Sequence, residues 1–301
     1  MKNVPWNQIF LEKSKKEGGS PMNLGLGKKM GFSFFFAILI AILPGGIFAK
    51  TNPKPRILVV MSASDTILLD GKRKHPTGVF LNELYLPIKG LSEVGYDLVF
   101  ATPNGKIATI DPESLKDKYW ESAEEKEAAL RYLSSLPSYL KPISLESAIQ
   151  MSHQYIGLLV PGGQGLMTDL LYDVNVPKLI FTFQEKEKPI GLVCHAPALL
   201  TTLAKSSNEK EFILKGYKVN SVTKIEEWFI ETFVMKGSPK IRNISGLLKN
   251  IGMEYKSSIL PGQSYAIRDR NLVTSQNPFS GIEFTELYLA VIEDYLQKTS
   301  F

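Results

Sequence analysis

The only cysteine of the 301-residue chain, Cys194, is followed directly by a histidine in the stretch KPIGLVCHAPALL, residues 188–200. The apolar residues before the cysteine predict a strand and those after it a helix, which places the thiol at a strand-to-helix turn. Unpaired backbone N–H groups and the positive end of the helix dipole favour the thiolate there. We therefore predict that Cys194 is a nucleophile with a lowered pKa and that His195 relays its protons. The alternative is a small buried apolar residue beside a polar residue of the first helical turn.

A second predicted strand end carries glycines, in the stretch LLVPGGQGLMTDL, residues 158–170. Glycine lets backbone N–H groups approach a ligand closely. The N–H groups of Gly163 and His195 are suited to form an oxyanion hole, with Gly162 and Gln164 beside the substrate. Pro-Gly-Gly alone is more often only a turn. Its proximity to a cysteine-bearing strand end makes a binding role more specific.

Apolar strand-like runs alternate with helical patterns over most of the chain. This alternation predicts one α/β domain over residues 50–301, with a doubly wound, mostly parallel sheet in a flavodoxin-like sandwich. In such a sheet, ligands bind beyond the carboxyl ends of the strands, where both stretches quoted above lie. The predicted strands are 57–62, 96–102, 155–161, 189–194, 217–222 and 271–275; the predicted helices are 79–94, 121–137, 167–187 (split or kinked by Pro177), 195–205 and 282–297.

Residues 106–150 are longer and more polar than a simple connection. The segment ESAEEKEAALRYLSSL within them predicts an exposed, inserted helix. An insertion at the carboxyl edge of the sheet could serve as a lid over the site.

The N-terminal extension, residues 1–49, contains the stretch KKMGFSFFFAILIAILPGGIFA. Its uncharged run is broken by Pro-Gly-Gly, too short for the roughly 20 apolar residues of a membrane span and close to the length of a signal-peptide core. We predict an exported protein, periplasmic or extracytoplasmic, with Met22 as a possible alternative start. The alternative is a permanent membrane anchor formed by residues 30–49.

Composition excludes several classes of function. The net charge of +5 is concentrated in residues 1–29, where six lysines face two glutamates, so no basic patch for a nucleic-acid partner is visible in the rest. A single cysteine excludes an intrachain disulfide, and the three histidines lack metal-ligand spacing. No phosphate-cradling glycine motif is present, so we expect neither a metal nor a cofactor.

The chain resembles the ThiJ/PfpI (DJ-1) superfamily, which has a class I glutamine amidotransferase-like fold. It is most similar to the branch of heat-shock chaperones and glutathione-independent glyoxalases (glyoxalase III). The resemblance runs from about Arg56 to Ile292. It rests on TGVFLNELYLPIKGLSEVGYDLVFATPNG, LLVPGGQGLMTDL, GLVCHAPALL, GYKVNSVTKIEE and LVTSQNPFSG, in that order.

The resemblance implies roles that spacing alone does not assign. Cys194 matches the nucleophile and His195 its neighbouring base. Glu83 matches a glutamate that contacts the thiol and shuttles protons. Glu227 matches the acid that orients the histidine, with Glu226 as its rival because a one-residue shift in a short loop is easy to miss.

Two positions depart from the family pattern. Many relatives read P-G-G-H-G where this chain has Gln164, and C-H-G-P where it has Ala196. Gln164 cannot ionise, so any proton-transfer or metal-binding role of a histidine there is lost. Ala196 adds a methyl group beside the thiol, which narrows the site.

The resemblance implies cofactor-free conversion of a small 2-oxoaldehyde, such as methylglyoxal, to a 2-hydroxy acid. Two alternatives use the same cysteine: a stress-related holdase chaperone or redox sensor, and a PfpI-like peptidase or amidase. A homodimer is possible, since peptidase relatives complete their site across an oligomer interface.

Overall fold

In the computed structural model, which describes residues 54–206 and 212–299, a seven-stranded sheet is flanked by helices. The described residues belong to one compact unit, Lys54–Phe301. The strands are β1 Arg56–Val60, β2 Thr66–Leu69, β3 Arg73–Pro76, β4 Asp97–Thr102, β5 Ile143–Ser144, β6 Tyr155–Val160, β7 Ile190–Val193, β8 Lys218–Val219, β9 Glu254–Tyr255, β10 Ala266–Asp269 and β11 Leu272–Ser275. The helices are α1 Leu81–Val94, α2 Ala123–Ser134, α3 Pro137–Leu140, α4 Leu145–Gln150, α5 Asn175–Glu185, α6 Leu200–Ser206, α7 Lys224–Phe229, α8 Ile244–Asn250 and α9 Gly281–Thr299.

The strands of the large sheet follow the order β10-β11-β7-β6-β1-β4-β5. All neighbouring pairs are parallel except β10 and β11. The chain builds from β1 outward through β4 and β5, and then returns to the other side of β1 with β6. The predicted doubly wound α/β sheet is thus confirmed. The order reverses between β1 and β6, where such sheets open a crevice at the carboxyl edge.

Two glycines inside apolar strands, Gly157 of β6 and Gly191 of β7, mark the place where α9 lies against the sheet, and a Cβ at Gly157 would lie 2.8 Å from the Tyr288 hydroxyl. A Cβ at Gly191 of β7 would lie 2.8 Å from the ring of Phe284 and 3.0 Å from that of Tyr288. The Tyr288 hydroxyl donates a hydrogen bond of 2.7 Å to the Leu158 carbonyl of β6. Close helix–sheet packing therefore requires glycine here, and it fixes β6 and β7, whose carboxyl ends carry the two stretches singled out by the sequence.

The predicted helix over 167–187 is split, as its proline indicates. Two 3₁₀ turns, Gln164–Met167 and Leu170–Tyr172, come first, and α5 begins only at Asn175. Pro177 therefore lies in the first turn of α5, where its missing N–H costs no intrahelical hydrogen bond.

The predicted strand over 217–222 is mostly not a strand. Only β8 is formed, and it pairs with β9 in a separate two-stranded sheet. The Asn220 N–H beyond it donates to the side chain of Thr274 at 3.0 Å rather than to a ladder carbonyl. The β2–β3 hairpin, rich in polar residues, is an element that the apolar pattern missed.

The segment 106–150 is more than a surface insertion. It adds β5 to the edge of the large sheet beside β4. Within it α2 is exposed as predicted, with only Ala129 and Leu133 buried. Two 3₁₀ turns, Pro112–Leu115 and Asp117–Tyr119, precede α2.

Among residues 54–206 and 212–299, no helix has the length and apolar character needed to cross a membrane. This finding contradicts the prediction of an exported or membrane-anchored protein, and that prediction is corrected here. Residues 1–49, on which it rested, lie outside the described part of the chain.

Candidate active site

Cys194 lies at the corner between β7 and the 3₁₀ turn Ala196–Leu199, as the sequence predicts. Its backbone has a φ of +57°, a left-handed conformation that non-glycine residues rarely adopt. Two hydrogen bonds hold this strained residue: its N–H donates to the Ser275 carbonyl at 2.8 Å, and its carbonyl accepts from the Val222 N–H at 3.0 Å. Strain fixed in this way is typical of nucleophile elbows.

Glu83, the third residue of α1, is 1% exposed and approaches the thiol across Gly162. A Cβ at Gly162 would contact a carboxyl oxygen of Glu83 and would lie 2.9 Å from the Cβ of Cys194, so only glycine fits. Neither carboxyl oxygen has a well-formed hydrogen bond within the described residues. The groups that reach the carboxyl are the Cys194 thiol and the Gly162 backbone. The strand end after β6 thus brings acid and thiol together.

This contact determines the protonation of both groups. Burial raises the pKa of Glu83 to about 8, against smaller opposing effects of the Cys194 thiol and the Gly162 backbone. Burial also raises the pKa of the Cys194 thiol, and the charges of Glu83 and Glu226 raise it further. Because the carboxyl and the thiol are buried next to each other on the two sides of Gly162, the pair accommodates one negative charge but not two. A thiolate at Cys194 therefore requires a protonated Glu83.

The expected lowering of the thiol pKa by a helix N-terminus is corrected by these surroundings. A single 3₁₀ turn, Ala196–Leu199, follows the cysteine before α6 begins. Helix termini stabilise a charge by about 0.3–1 kcal/mol at exposed sites, whereas full burial can shift a pKa by roughly 3–5. Desolvation has the larger effect on the thiol pKa, so the resting thiol is protonated.

His195 contacts the thiol through one ring nitrogen and Gln164 through the other. Its Nδ1 lies 3.2 Å from Sγ, and its Nε2 lies 2.9 Å from the Gln164 amide nitrogen. Burial lowers the pKa of His195 to about 4, so the ring is neutral at pH 7. With the amide nitrogen donating to Nε2, the ring proton is on Nδ1. A half-turn of the amide presents its oxygen instead and leaves Nδ1 free to accept the thiol proton.

Glu227 is not placed beside His195. Its carboxylate accepts from the Ile244 N–H at 3.3 Å, and burial raises its pKa to about 7. Its rival Glu226 lines a cavity together with Cys194. One oxygen of Glu226 accepts from the Gly262 N–H at 2.8 Å and from the side chains of Gln276 and Asn277 at 3.0 and 2.9 Å. Gln164 therefore occupies the contact with His195 that the resemblance gave to an acid.

The predicted oxyanion amides lie at the carboxyl ends of β6 and β7. Gly163 has a φ of +107°, and a Cβ there would contact the Gly78 carbonyl, so glycine is required. Neither the Gly163 N–H nor the His195 N–H donates to a backbone carbonyl within residues 54–206 and 212–299. The His195 N–H acts on the sulfur and favours its charged form. Both donors are suited to a developing negative charge.

A cavity, here called the polar cavity, opens onto these groups. Three of its lining residues, Asp111, Glu113 and Tyr119, come from segment 106–150, so the predicted lid segment forms one wall. No sequence pattern marks these three residues beyond the Asp-Pro pair that starts a 3₁₀ turn. Over the described ranges, no group of three His, Cys, Asp or Glu side chains is arranged to hold a metal ion.

Comparisons with known proteins agree with the fold described above. Residues 78–291 match the sequence pattern described as the DJ-1/PfpI family. A protein/nucleic acid deglycase HchA of Pseudomonas aeruginosa is 25% identical over 236 residues, covering 76% of this chain and 78% of the relative. Glyoxalase 3 of Candida albicans is 24% identical over 237 residues, covering 79% and 98%. The crystal structure of glyoxalase III from Candida albicans, 20% identical, superimposes with a TM-score of 0.66 over 79% of this chain and 97% of that one.

The raised pKa of Glu83 predicts how stability depends on pH. The folded chain holds the proton up to about pH 8, whereas the unfolded chain releases it near 4.5. The wild-type protein therefore loses stability as the pH rises through this window, while Glu83→Gln does not titrate. The free energy of unfolding of Glu83→Gln relative to that of the wild type should rise by about 1.4 kcal/mol for each unit of pH. Urea unfolding at pH 5.5, 6.5 and 7.5 measures it. Glu93→Gln, on the exposed face of the same helix, is the control, and a pH-independent difference for Glu83→Gln would contradict the buried proton.

The two neighbouring carboxylates of α7 provide a second test. Because the charge of Glu226 acts on Cys194, Glu226→Gln should lower the pKa of the thiol. Glu227→Gln, whose partner is Ile244, should leave it unchanged. The pH dependence of the iodoacetamide alkylation rate reports this pKa, and thermal unfolding identifies loss of structure. A shift in Glu227→Gln alone would restore Glu227 as the acid of the site.

Proposed function

We propose that this chain, which belongs to the DJ-1/PfpI family, is an enzyme that converts a small 2-oxoaldehyde to a 2-hydroxy acid without a cofactor. One observation carries the proposal. A single strained thiol lies against a buried carboxyl with a pKa of about 8 and a neutral imidazole, at the edge of the polar cavity. A proton shuttle near neutral pH needs a group whose pKa lies close to the working pH, and Glu83 meets this requirement. Relatives named as a deglycase and a glyoxalase support an enzymatic role.

The first step is addition of the thiol to the aldehyde carbon. His195 Nδ1 takes the proton of Cys194 as the sulfur–carbon bond forms and the carbonyl π bond breaks. The oxygen becomes an alkoxide that the Gly163 and His195 N–H groups stabilise, and it takes the proton of Glu83. The product is a hemithioacetal, with Glu83 now a carboxylate and His195 an imidazolium.

The second step moves hydrogen between adjacent carbons. The Glu83 carboxylate removes the proton from the carbon bound to sulfur, while the neighbouring ketone oxygen takes the proton of His195, giving an enediol. Glu83 returns its proton to the second carbon, and His195 accepts the hydroxyl proton from the first. A thioester of the 2-hydroxy acid results. Water then adds to the thioester carbon and gives a proton to Glu83, and the departing sulfur of Cys194 recovers its proton from His195.

The geometry weighs against a redox sensor as the main role. Such a sensor needs an exposed thiol of low pKa. Cys194 is 5% exposed, and burial raises the pKa of its thiol.

The proposal predicts lactate formation from methylglyoxal without glutathione. Cys194→Ser should abolish it, and Glu83→Gln should lower kcat by about 10²- to 10⁴-fold, the usual contribution of a general base. Lactate is measured enzymatically, with circular dichroism as the check on folding and Glu93→Gln as the matched control.

In Glu83→Gln, the alkylation rate of the thiol should change in the opposite direction to turnover. Removing the competing carboxylate lowers the thiol pKa, so alkylation at pH 7.5 becomes faster while turnover becomes slower. Unchanged turnover in Glu83→Gln would remove Glu83 from the mechanism. Suppression of client aggregation that survives Cys194→Ser, in a protein without lactate formation, would favour the chaperone instead.

A further inference from the structure

A second cavity, larger than the polar cavity, also reaches the nucleophile; we call it the aromatic cavity. It shares four lining residues with the polar cavity: Tyr119, Cys194, Ile230 and Pro278. Its aromatic and large aliphatic lining residues are Tyr119, Val222, Ile225, Trp228, Phe229, Ile230 and Phe279. A molecule bound covalently to the sulfur therefore has an apolar space on one side of the reacting carbon, beyond what a methyl group needs.

The two charged side chains that line the aromatic cavity are already paired within the protein. Lys118 lies 2.8 Å from the Glu113 carboxylate and above the ring of Tyr119, 4.7 Å from its centroid. Glu226 accepts hydrogen bonds from several donors, including the Asn277 side chain at 2.9 Å and the Thr223 N–H at 2.8 Å. Neither charge is left over for a ligand, so the cavity favours an uncharged, apolar group.

The aromatic residues are positioned by the elbow itself. The Val222 N–H donates to the Cys194 carbonyl, and the next residue, Thr223, caps α7 in a reciprocal capping box with Glu226. Trp228 and Phe229 follow one turn later and are 55% and 51% exposed. Side chains of this size left open beside a nucleophile are typical of a ligand site rather than of a scattered surface.

Phe233 extends this aromatic face along the π-helix Ile230–Met235. Its ring centroid lies 5.0 Å from that of Phe229 and 5.8 Å from that of Trp228. The remaining aromatic lining comes from elsewhere in the chain, where Tyr119 and Phe279 lie with ring centroids 5.8 Å apart at 31°. Neighbouring rings in these arrangements hold each other in place, which preforms the cavity.

From this we infer that the natural substrate carries a bulky apolar group, aryl or branched alkyl, next to its 2-oxoaldehyde function, and that the aromatic cavity binds that group. This inference rests on the proposed function and narrows its substrate class. The polar cavity performs the proton transfers and the aromatic cavity provides selectivity.

Initial rates with phenylglyoxal and methylglyoxal test the inference, with Cys194→Ser correcting for reaction at other side chains. We expect kcat/KM to be at least about tenfold higher for phenylglyoxal, because each extra methylene in a fitting pocket is worth roughly 10- to 200-fold. Phe229→Ala should reduce this preference about tenfold or more. Phe181→Ala, an exposed aromatic residue of α5 outside both cavities, should leave the preference unchanged.

A binding measurement separates this inference from the proposed function. Acetophenone, which carries the aryl group but no aldehyde, should protect Cys194 from iodoacetamide at concentrations where acetone does not, and Phe229→Ala should weaken that protection. Protection without turnover of either aldehyde would overturn the proposed function and keep the cavity as an aryl site. Equal effects of acetophenone and acetone, or a preference for methylglyoxal that Phe229→Ala leaves intact, would overturn the inference. A dimer that shields the cavity would also overturn the inference. Sedimentation would show it as a concentration-dependent species that Phe229→Ala dissociates.

Discussion

The contact between one carboxyl and one thiol, both removed from water, determines the rest of the site. Glu83 and Cys194 come from segments more than a hundred positions apart, and Gly162 from a third segment lets them meet. Two anions cannot coexist there, so the pair shares protons rather than forming a salt bridge. A buried acid without good hydrogen bonds costs stability, and such a group persists where its altered protonation has a use. The neutral imidazole of His195 completes a site in which the two titratable groups nearest to the sulfur, Glu83 and His195, are uncharged at rest.

The fold meets the demands of this contact with rigid elements. The thiol lies at the end of β7, Gly162 follows β6, and the carboxyl projects from the first turn of α1. The neighbouring parallel strands share a register, so their carboxyl ends arrive together at one edge. Helix α9 holds both strands from one face through aromatic rings packed on strand glycines. A site built at strand ends and a helix start is positioned more precisely than one built on loops.

Apolar runs and turn residues predicted the architecture because parallel strands are buried on both faces and leave a strong pattern. The position of Cys194 followed from the same pattern. Glu83 did not, since a glutamate in the first turn of a helix normally faces water, and only the family resemblance indicated it. The acid that the resemblance implied beside His195, Glu227, does not occupy that position, and Gln164 does. The consecutive residues Glu226 and Glu227 have different partners, the N–H groups of Gly262 and Ile244. A helix turns by about 100° from one residue to the next, so the sequence alone does not show which of the two carboxylates faces the site. The predicted low pKa of the thiol is wrong for a related reason: burial is a property of the assembled fold, and it outweighs the local effect of a helix terminus.

Gln164 stands where the resemblance implies a histidine, and the buried imidazole beside it gives a physical reason for the difference. A second histidine in contact with His195 would bring another titratable ring into a buried site. Glutamine offers a donor and an acceptor on the same carbon, so it can pair with Nε2 of His195 in either tautomer without gaining charge. The relay then needs a rotation of an amide rather than the ionisation of a second base. The aromatic cavity and Gln164 support the same chemistry. The apolar lining accepts an apolar group, and a neighbour of His195 that carries no charge keeps the polarity of the site low, which strengthens each hydrogen bond made to the reacting oxygen.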